Sequence, residues 1–377
     1  MDTKKNTISN SKSWAIILVA QFLLFYLLSK LDFAVSFFSK FFEWKKNWHI
    51  ALFSGVSFSI GDLIYIILGL FTCYFLLLSI KFRTSKYIKH LLIIGNIFYF
   101  TYQCFWGMLY FQPTIIQKLP NRKVTDVEIK NLTIKYLNLC KSERAKLNED
   151  KNGILKVLDF AKINQEIINQ QKLLPKNIST KNSIDIISIK PSLFRGFMSK
   201  TGILGYYNPF TSEAQYNPNI PSTQLPFTMA HEMSHQLGFA REQEASFIGF
   251  LCAYTSQIPE LRYSANLYAL RSLIKAVSYR DKRFAELILK SFSSKMKRDI
   301  EYELQYVKRN EGIVNDFFGV TNDLFLKSNQ QQGSITYSYF VNLLIAYEIS
   351  KKKKKNRTKS TILKTQMMKK NLLLPSD

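Results

Sequence analysis

Three apolar runs near the amino terminus limit what this chain can fold into more than any other feature. Residues 14–29 read W-A-I-I-L-V-A-Q-F-L-L-F-Y-L-L-S, residues 63–80 carry no charge, and residues 91–111 carry none either. The latter two are long enough to span a bilayer. The first follows Lys4, Lys5 and Lys12 but meets no small-x-small cleavage site, so it reads as an uncleaved anchor helix rather than a signal peptide. Residues 14–112 are therefore expected to form a membrane region of three transmembrane helices (14–29, 63–80 and 91–111) behind a cytoplasmic tail, 1–13. Residues 81–90 hold a dense cluster of lysine and arginine, while Lys40, Lys45 and Lys46 are spread thinly with Asp32 and Glu43 among them. Lysine density so places the tail and the 81–90 loop inside, and everything after the third helix outside.

The remainder is polar and long enough for a domain of its own, 113–350, ahead of a basic tail, 351–377, expected to lack order. Charged helical stretches lie around 124–147 and 154–174. Strand material follows at 183–189, 202–210 and 213–217, and further helices at 258–308 and 336–350. The expected fold is thus a set of amino-terminal transmembrane α-helices followed by a mostly α, α+β domain with a small sheet. Asp62, at the edge of the second run, is expected at the membrane interface.

The net charge of +25 suits an anionic membrane surface. Its lysines are dispersed and no nucleic-acid module is recognisable, so membrane lipid is the expected partner and nucleic acid is not. Four cysteines, Cys73, Cys104, Cys140 and Cys252, have no metal-site spacing, and a Cys140–Cys252 disulfide has nothing else to support it.

Residues 228–246, T-M-A-H-E-M-S-H-Q-L-G-F-A-R-E-Q-E-A-S, carry the chemistry. On a helix begun near Pro226 and ended at Gly238, His231 and His235 share a face and can aim two imidazole nitrogens at one zinc ion. Zinc in catalytic sites takes three protein ligands and leaves a position for water. Glu232, beside the first histidine, would be the general base that takes a proton from the attacking water and returns it to the leaving amine. The remaining histidines, His49 and His90, belong to the membrane-proximal part, so the third ligand is expected to be a carboxylate on the next helix, about 241–254. Glu242 and Glu244 are the two candidates, and their i, i+2 spacing turns them to different sides. Glu244 is preferred because it shares a face with Phe247 and Ile248, which is expected to pack on the first helix. For the oxyanion, Tyr337 is the first choice, with Tyr339 or Arg241 behind it. Glu213 is a candidate to orient a ligand histidine, and 202–217 a candidate edge strand for an extended peptide.

H-E-M-S-H with a glutamate on a following helix, in an E-A context, resembles the gluzincin-like zinc metallopeptidases. More closely, H-E-M-S-H-Q-L-G-F-A-R-E-Q-E-A-S looks like a family of uncharacterised bacterial membrane proteins with amino-terminal membrane helices. The likeness extends to G-Y-Y-N-P-F-T-S-E-A at 205–214 and T-Y-S-Y-F-V-N-L-L at 336–344. Ser246 departs from it, standing where an asparagine often follows E-A. Arg241 occupies the third-histidine position of a metzincin and cannot ligate. The resemblance implies a zincin-like domain, zinc as cofactor, a peptide or protein substrate, and a multi-pass protein of the bacterial inner (cell) membrane; with the lysine density, the catalytic domain is expected to be periplasmic or otherwise extracytoplasmic. The expected function is a membrane-anchored zinc metallopeptidase; the alternative is a catalytically inactive zinc-binding membrane scaffold or peptide sensor.

Overall fold

The computed structural model describes residues 2–84, 86–120, 124–312 and 339–351. The chain is mostly helical with one small mixed sheet. Four helices open it: α1 (Asp2–Leu28), α2 (Asp32–Ser54), α3 (Ile60–Phe82) and α4 (Lys86–Phe105). Two segments are long and apolar enough to cross a membrane, Ser11–Leu28 and Ile60–Phe82; α4 with the short helical turns 107–118 would make a third if that pair, bent by 44°, is one span. These two apolar helices suggest membrane association.

One expectation is corrected here. The run 91–111 is not one helix, because α4 ends at Phe105 and a 3-10 turn, Gly107–Phe111, carries the chain into the polar domain. The connection between the first two runs is the full helix α2, whose inner face holds Phe42, Lys45, Lys46 and His49 against that domain.

The polar domain starts with α5 (Asp126–Ala145), whose first turn is closed by a reciprocal capping box between Thr125 and Glu128. It continues with α6 (Phe160–Lys172), strand β1 (Ile189–Pro191), the short helix α7 (Arg195–Thr201), and strands β2 (Gly205–Asn208) and β3 (Glu213–Tyr216). Then come α8 (Leu225–Gln236), α9 (Glu242–Tyr254), α10 (Pro259–Ser278), α11 (Lys282–Lys290) and α12 (Ser294–Asn310). The strand expected over 183–189 shrinks to β1, whose pairing with β3 opens where the Ala214 amide donates to the Ser188 carbonyl. Strand order is β1-β3-β2, with β1 parallel and β2 antiparallel to β3. Among the described residues β2 is thus an edge strand.

The core forms where α8, α9 and α10 pack together, filled by Phe247, Phe250, Tyr263 and Leu270 from one side and Tyr136 of α5 from the other. Phe340, on the helical residues 339–351, packs on Phe250 and Tyr268. A buried ion pair ties the domain's ends. Arg144 of α5 forks onto Asp299 of α12 at 2.6 and 3.0 Å, and Asp299 also accepts from the Leu155 amide and the Tyr263 hydroxyl. Cys140 and Cys252 are both free.

The sheet is the plate on which the apolar helix α3 is seated. Glu213 of β3 accepts the amides of Ile60 and Gly61 at 3.2 and 2.6 Å, at the positive end of α3. Lys190 of β1 donates to Glu213 at 2.7 Å and to the carbonyls of Phe53 and Phe58. Asp62 is buried here, accepting from the Ser192 hydroxyl and the Leu193 amide. Glu213, a candidate to orient a ligand histidine, spends its lone pairs on this junction instead.

Candidate metal centre

Helix α8 presents the motif because both of its ends are fixed. Pro226 sits in the first turn, where its missing N–H costs nothing. At the far end Gly238 has φ +97°; its amide donates to the His235 carbonyl at 2.8 Å, and the Phe239 amide reaches the Ser234 carbonyl at 3.4 Å. This is a Schellman closure, and it reverses the chain into α9 within a few residues. Gln236 pins the helix to the sheet by donating to the carbonyls of Ser188 and Ser212.

His231, Glu232 and His235 converge, each offering one potential ligand atom with all of these within 4.8 Å of one another. The imidazole orientations are set from behind. His235 Nδ1 donates to the Phe239 carbonyl at 2.7 Å, and His231 Nδ1 meets the Ser246 hydroxyl at 3.0 Å, which the Tyr268 hydroxyl joins at 3.2 Å. Both rings are left with Nε2 facing inward, the arrangement that outer partners impose on metal-binding histidines. Trp106 stands edge-on to His235 with ring centres 5.8 Å apart, and Tyr207 of β2 stacks on Trp106 at 4.4 Å.

The carboxylate brought to these nitrogens is Glu242. Its oxygens lie 3.2 Å from His231 Nε2 and 3.6 Å from His235 Nε2. Glu244, preferred from the sequence, turns away: it accepts the Ile115 amide at 2.7 Å and sits 3.8 Å from Arg241. The reason lies in which face of α9 meets α8. A Cβ on Gly249 would fall 2.9–3.0 Å from the backbone of Ala230 and His231, so the contact face runs through Glu242, Ala245, Ser246 and Gly249. These are spaced as one helical stripe, and Glu244 lies on the opposite side. Small residues at 245, 246 and 249 were the available signal, and they are in register with Glu242.

Arg241 donates to the Gln112 carbonyl at 2.7 Å and is engaged with the turn below the site. Tyr337 lies outside the described residues, as does the chain beyond residue 351. Tyr339 begins the helical residues 339–351. His49, the only other buried histidine, meets Lys45 and Ser212 through Nδ1, while His90 is stacked on Phe75 in the membrane part.

Burial pushes the Glu232 carboxyl up to about 7 against the pull of the two imidazoles. Burial also works against charge on His235, but Glu242 and Glu232 hold it up at about 9. Burial raises Glu242 as well, and this is outweighed by the two histidines, which keep it well below the usual carboxylate range. Glu232 Oε2 is buried without a hydrogen-bond partner. Two inward imidazole nitrogens, an ionised carboxylate across from them and an orphaned acid oxygen beside them form a donor set that suits a divalent cation with nitrogen and oxygen ligands. Edge strand β2 borders this cluster. A Cβ on Gly205 would lie 2.7 Å from Glu232 Cγ and Oε1, so only glycine lets the strand pass so close to the acid.

A model of a family described as a protein of unknown function, DUF3810, matches residues 37–345, and the chain belongs to that family. No curated protein and no solved structure matches it.

Proposed function

We propose that the protein is a membrane-anchored zinc metallopeptidase with a zincin-like domain on the extracytoplasmic side. The observation that carries this reading is the convergence of His231, His235 and Glu242 around one point, with the unpartnered carboxylate of Glu232 beside it. His231 Nε2, His235 Nε2 and a Glu242 oxygen would hold the zinc. When bound, the ion polarises a carbonyl and lowers the pKa of water. Glu232 takes the proton of the attacking water and hands it to the departing amine, a role its buried position beside the ligands supports. Ser246 and the Phe239 carbonyl keep the two rings facing inward. The edge of β2 that is unpaired among the described residues, passing over Glu232 at Gly205, is where an extended peptide would lie as an added strand.

Metal analysis and peptide cleavage by the full-length protein in detergent test this directly. Wild type should hold about one zinc, and Glu232→Gln should keep the zinc while losing about 10²–10⁴-fold in hydrolysis. Absence of zinc from the wild type, or equal cleavage by both proteins, would sink the proposal. Zinc held tightly by a wild type that cleaves nothing in a peptide library would favour the inactive scaffold or sensor instead.

A further inference from the structure

Helix α2 buries two lysines beside Val35, Phe42 and Ile50, and exposes large apolar side chains around Lys40 on its other side. Lys45 and Lys46 are 1% and 0% exposed, whereas Trp44 is 66% and Trp48 51% exposed. Phe33, Phe37, Trp44, Trp48 and Leu52 fall on one stripe at i, i+4 and i+7 spacing, and all five are exposed. The inward lysines are occupied: Lys46 donates to Glu43 and to the Asn182 carbonyl, and Lys45 lies 3.1 Å from His49 Nδ1. A helix bordering water would turn these residues the other way.

The connectivity says what lies outside. Helices α1 and α4 run parallel, since Gln21 bonds Asn96 while Phe25, further along, meets Tyr99 and Phe100. Helices α3 and α4 run antiparallel, with Phe75 on His90 at one end, and Tyr65 and Phe98 both on Phe210 at the other. The end of α1, the start of α3 and the end of α4 therefore lie on one side of the membrane. Helix α2 joins the first two, so it starts and finishes on that side and does not cross. Its 23 residues extend about 35 Å along the surface. Tryptophan-rich apolar faces are what membrane–water interfaces accommodate, and an in-plane helix with such a face is held by it.

We propose that α2 lies in the plane of the bilayer interface, its aromatic stripe among the lipid headgroups and upper acyl chains, as a cradle for the metal centre. Its inner face supports that centre directly. Phe42 packs on Trp106 with ring centres 6.0 Å apart, Trp106 borders His235, and a Cβ on Gly238 would strike Phe42 at 2.7 Å. The centre consequently stands roughly one helix diameter, ~10 Å, above the lipid. Resting on the peptidase reading, this makes the substrate class polypeptides tethered to the membrane, cut close to its surface.

Tryptophan quenching in the full-length chain tests the placement without requiring catalysis. The protein is reconstituted into vesicles of phosphatidylcholine and phosphatidylglycerol containing lipids brominated either near the headgroup or deep in the chain. Quenching should be stronger with the shallow bromines, and most of that difference should vanish in the Trp44→Phe, Trp48→Phe double variant. Iodide in the aqueous phase should quench these two residues weakly. Strong iodide quenching would mean the stripe faces water, protection from both quenchers would mean a protein or second copy covers it, and stronger deep quenching would mean α2 crosses; each overturns the proposal. If quenching succeeds but a lipid-anchored peptide is cleaved no faster than the same peptide free in solution, the substrate consequence fails alone.

Discussion

Glu242 and Glu244, two residues apart on α9, point to different sides, and only Glu242 is brought to the histidine nitrogens. Glu242 is the first residue of α9, immediately after the extended Arg241, and this places its carboxylate over the imidazoles of the preceding helix. Glu244 is the more buried of the two, yet it serves the Ile115 amide. Glu242→Gln should accordingly lower zinc affinity by more than the ~10–100-fold that losing an outer partner costs, while Glu244→Gln retains the metal. Competition with a chromogenic chelator reads both. Loss of zinc in the Glu244 variant alone would reverse the assignment.

Between elements, the site depends on how closely α9 approaches α8. Gly249 touches the backbone at His231, where nothing can move aside cheaply. Gly249→Val should force the helices apart, cost about 1–3 kcal/mol, and weaken zinc binding although the residue touches no ligand side chain. Unchanged zinc affinity in a folded variant would show that the spacing is not critical. The clamp between α5 and α12 is a separate matter. Asp299→Ala would leave buried Arg144 with only Glu149 and the Gly153 carbonyl, and strip partners from the Leu155 amide and Tyr263. A loss of about 3–5 kcal/mol is expected, seen as a lower unfolding midpoint in detergent.

On the scale of the whole molecule, the sheet joins membrane and site. Glu213 and Lys190 hold the start of α3, while β2 of the same sheet passes Glu232. The proposed topology is testable through two exposed positions. A tag at Lys86, the first residue of α4, should be reached only from inside, and one at Lys151 only from outside, in intact cells and inverted vesicles. Both tags on one side would refute the arrangement.

Local chemistry in the sequence determined a good deal. Charge-free runs marked the apolar helices, Pro226 and Gly238 bounded the motif helix, and the i, i+4 spacing of His231 and His235 put both on one face, because these depend on neighbours within a few residues. Strands near 205 and 213 were legible for the same reason. Tertiary structure alone decided which carboxylate of α9 meets the histidines, since that depends on the face α8 packs against. It also decided that Glu213 caps the start of α3 rather than orienting a ligand histidine. Helix α2 was hidden because its lysines interrupt the apolar pattern; only the fold shows that they point inward and the tryptophans out.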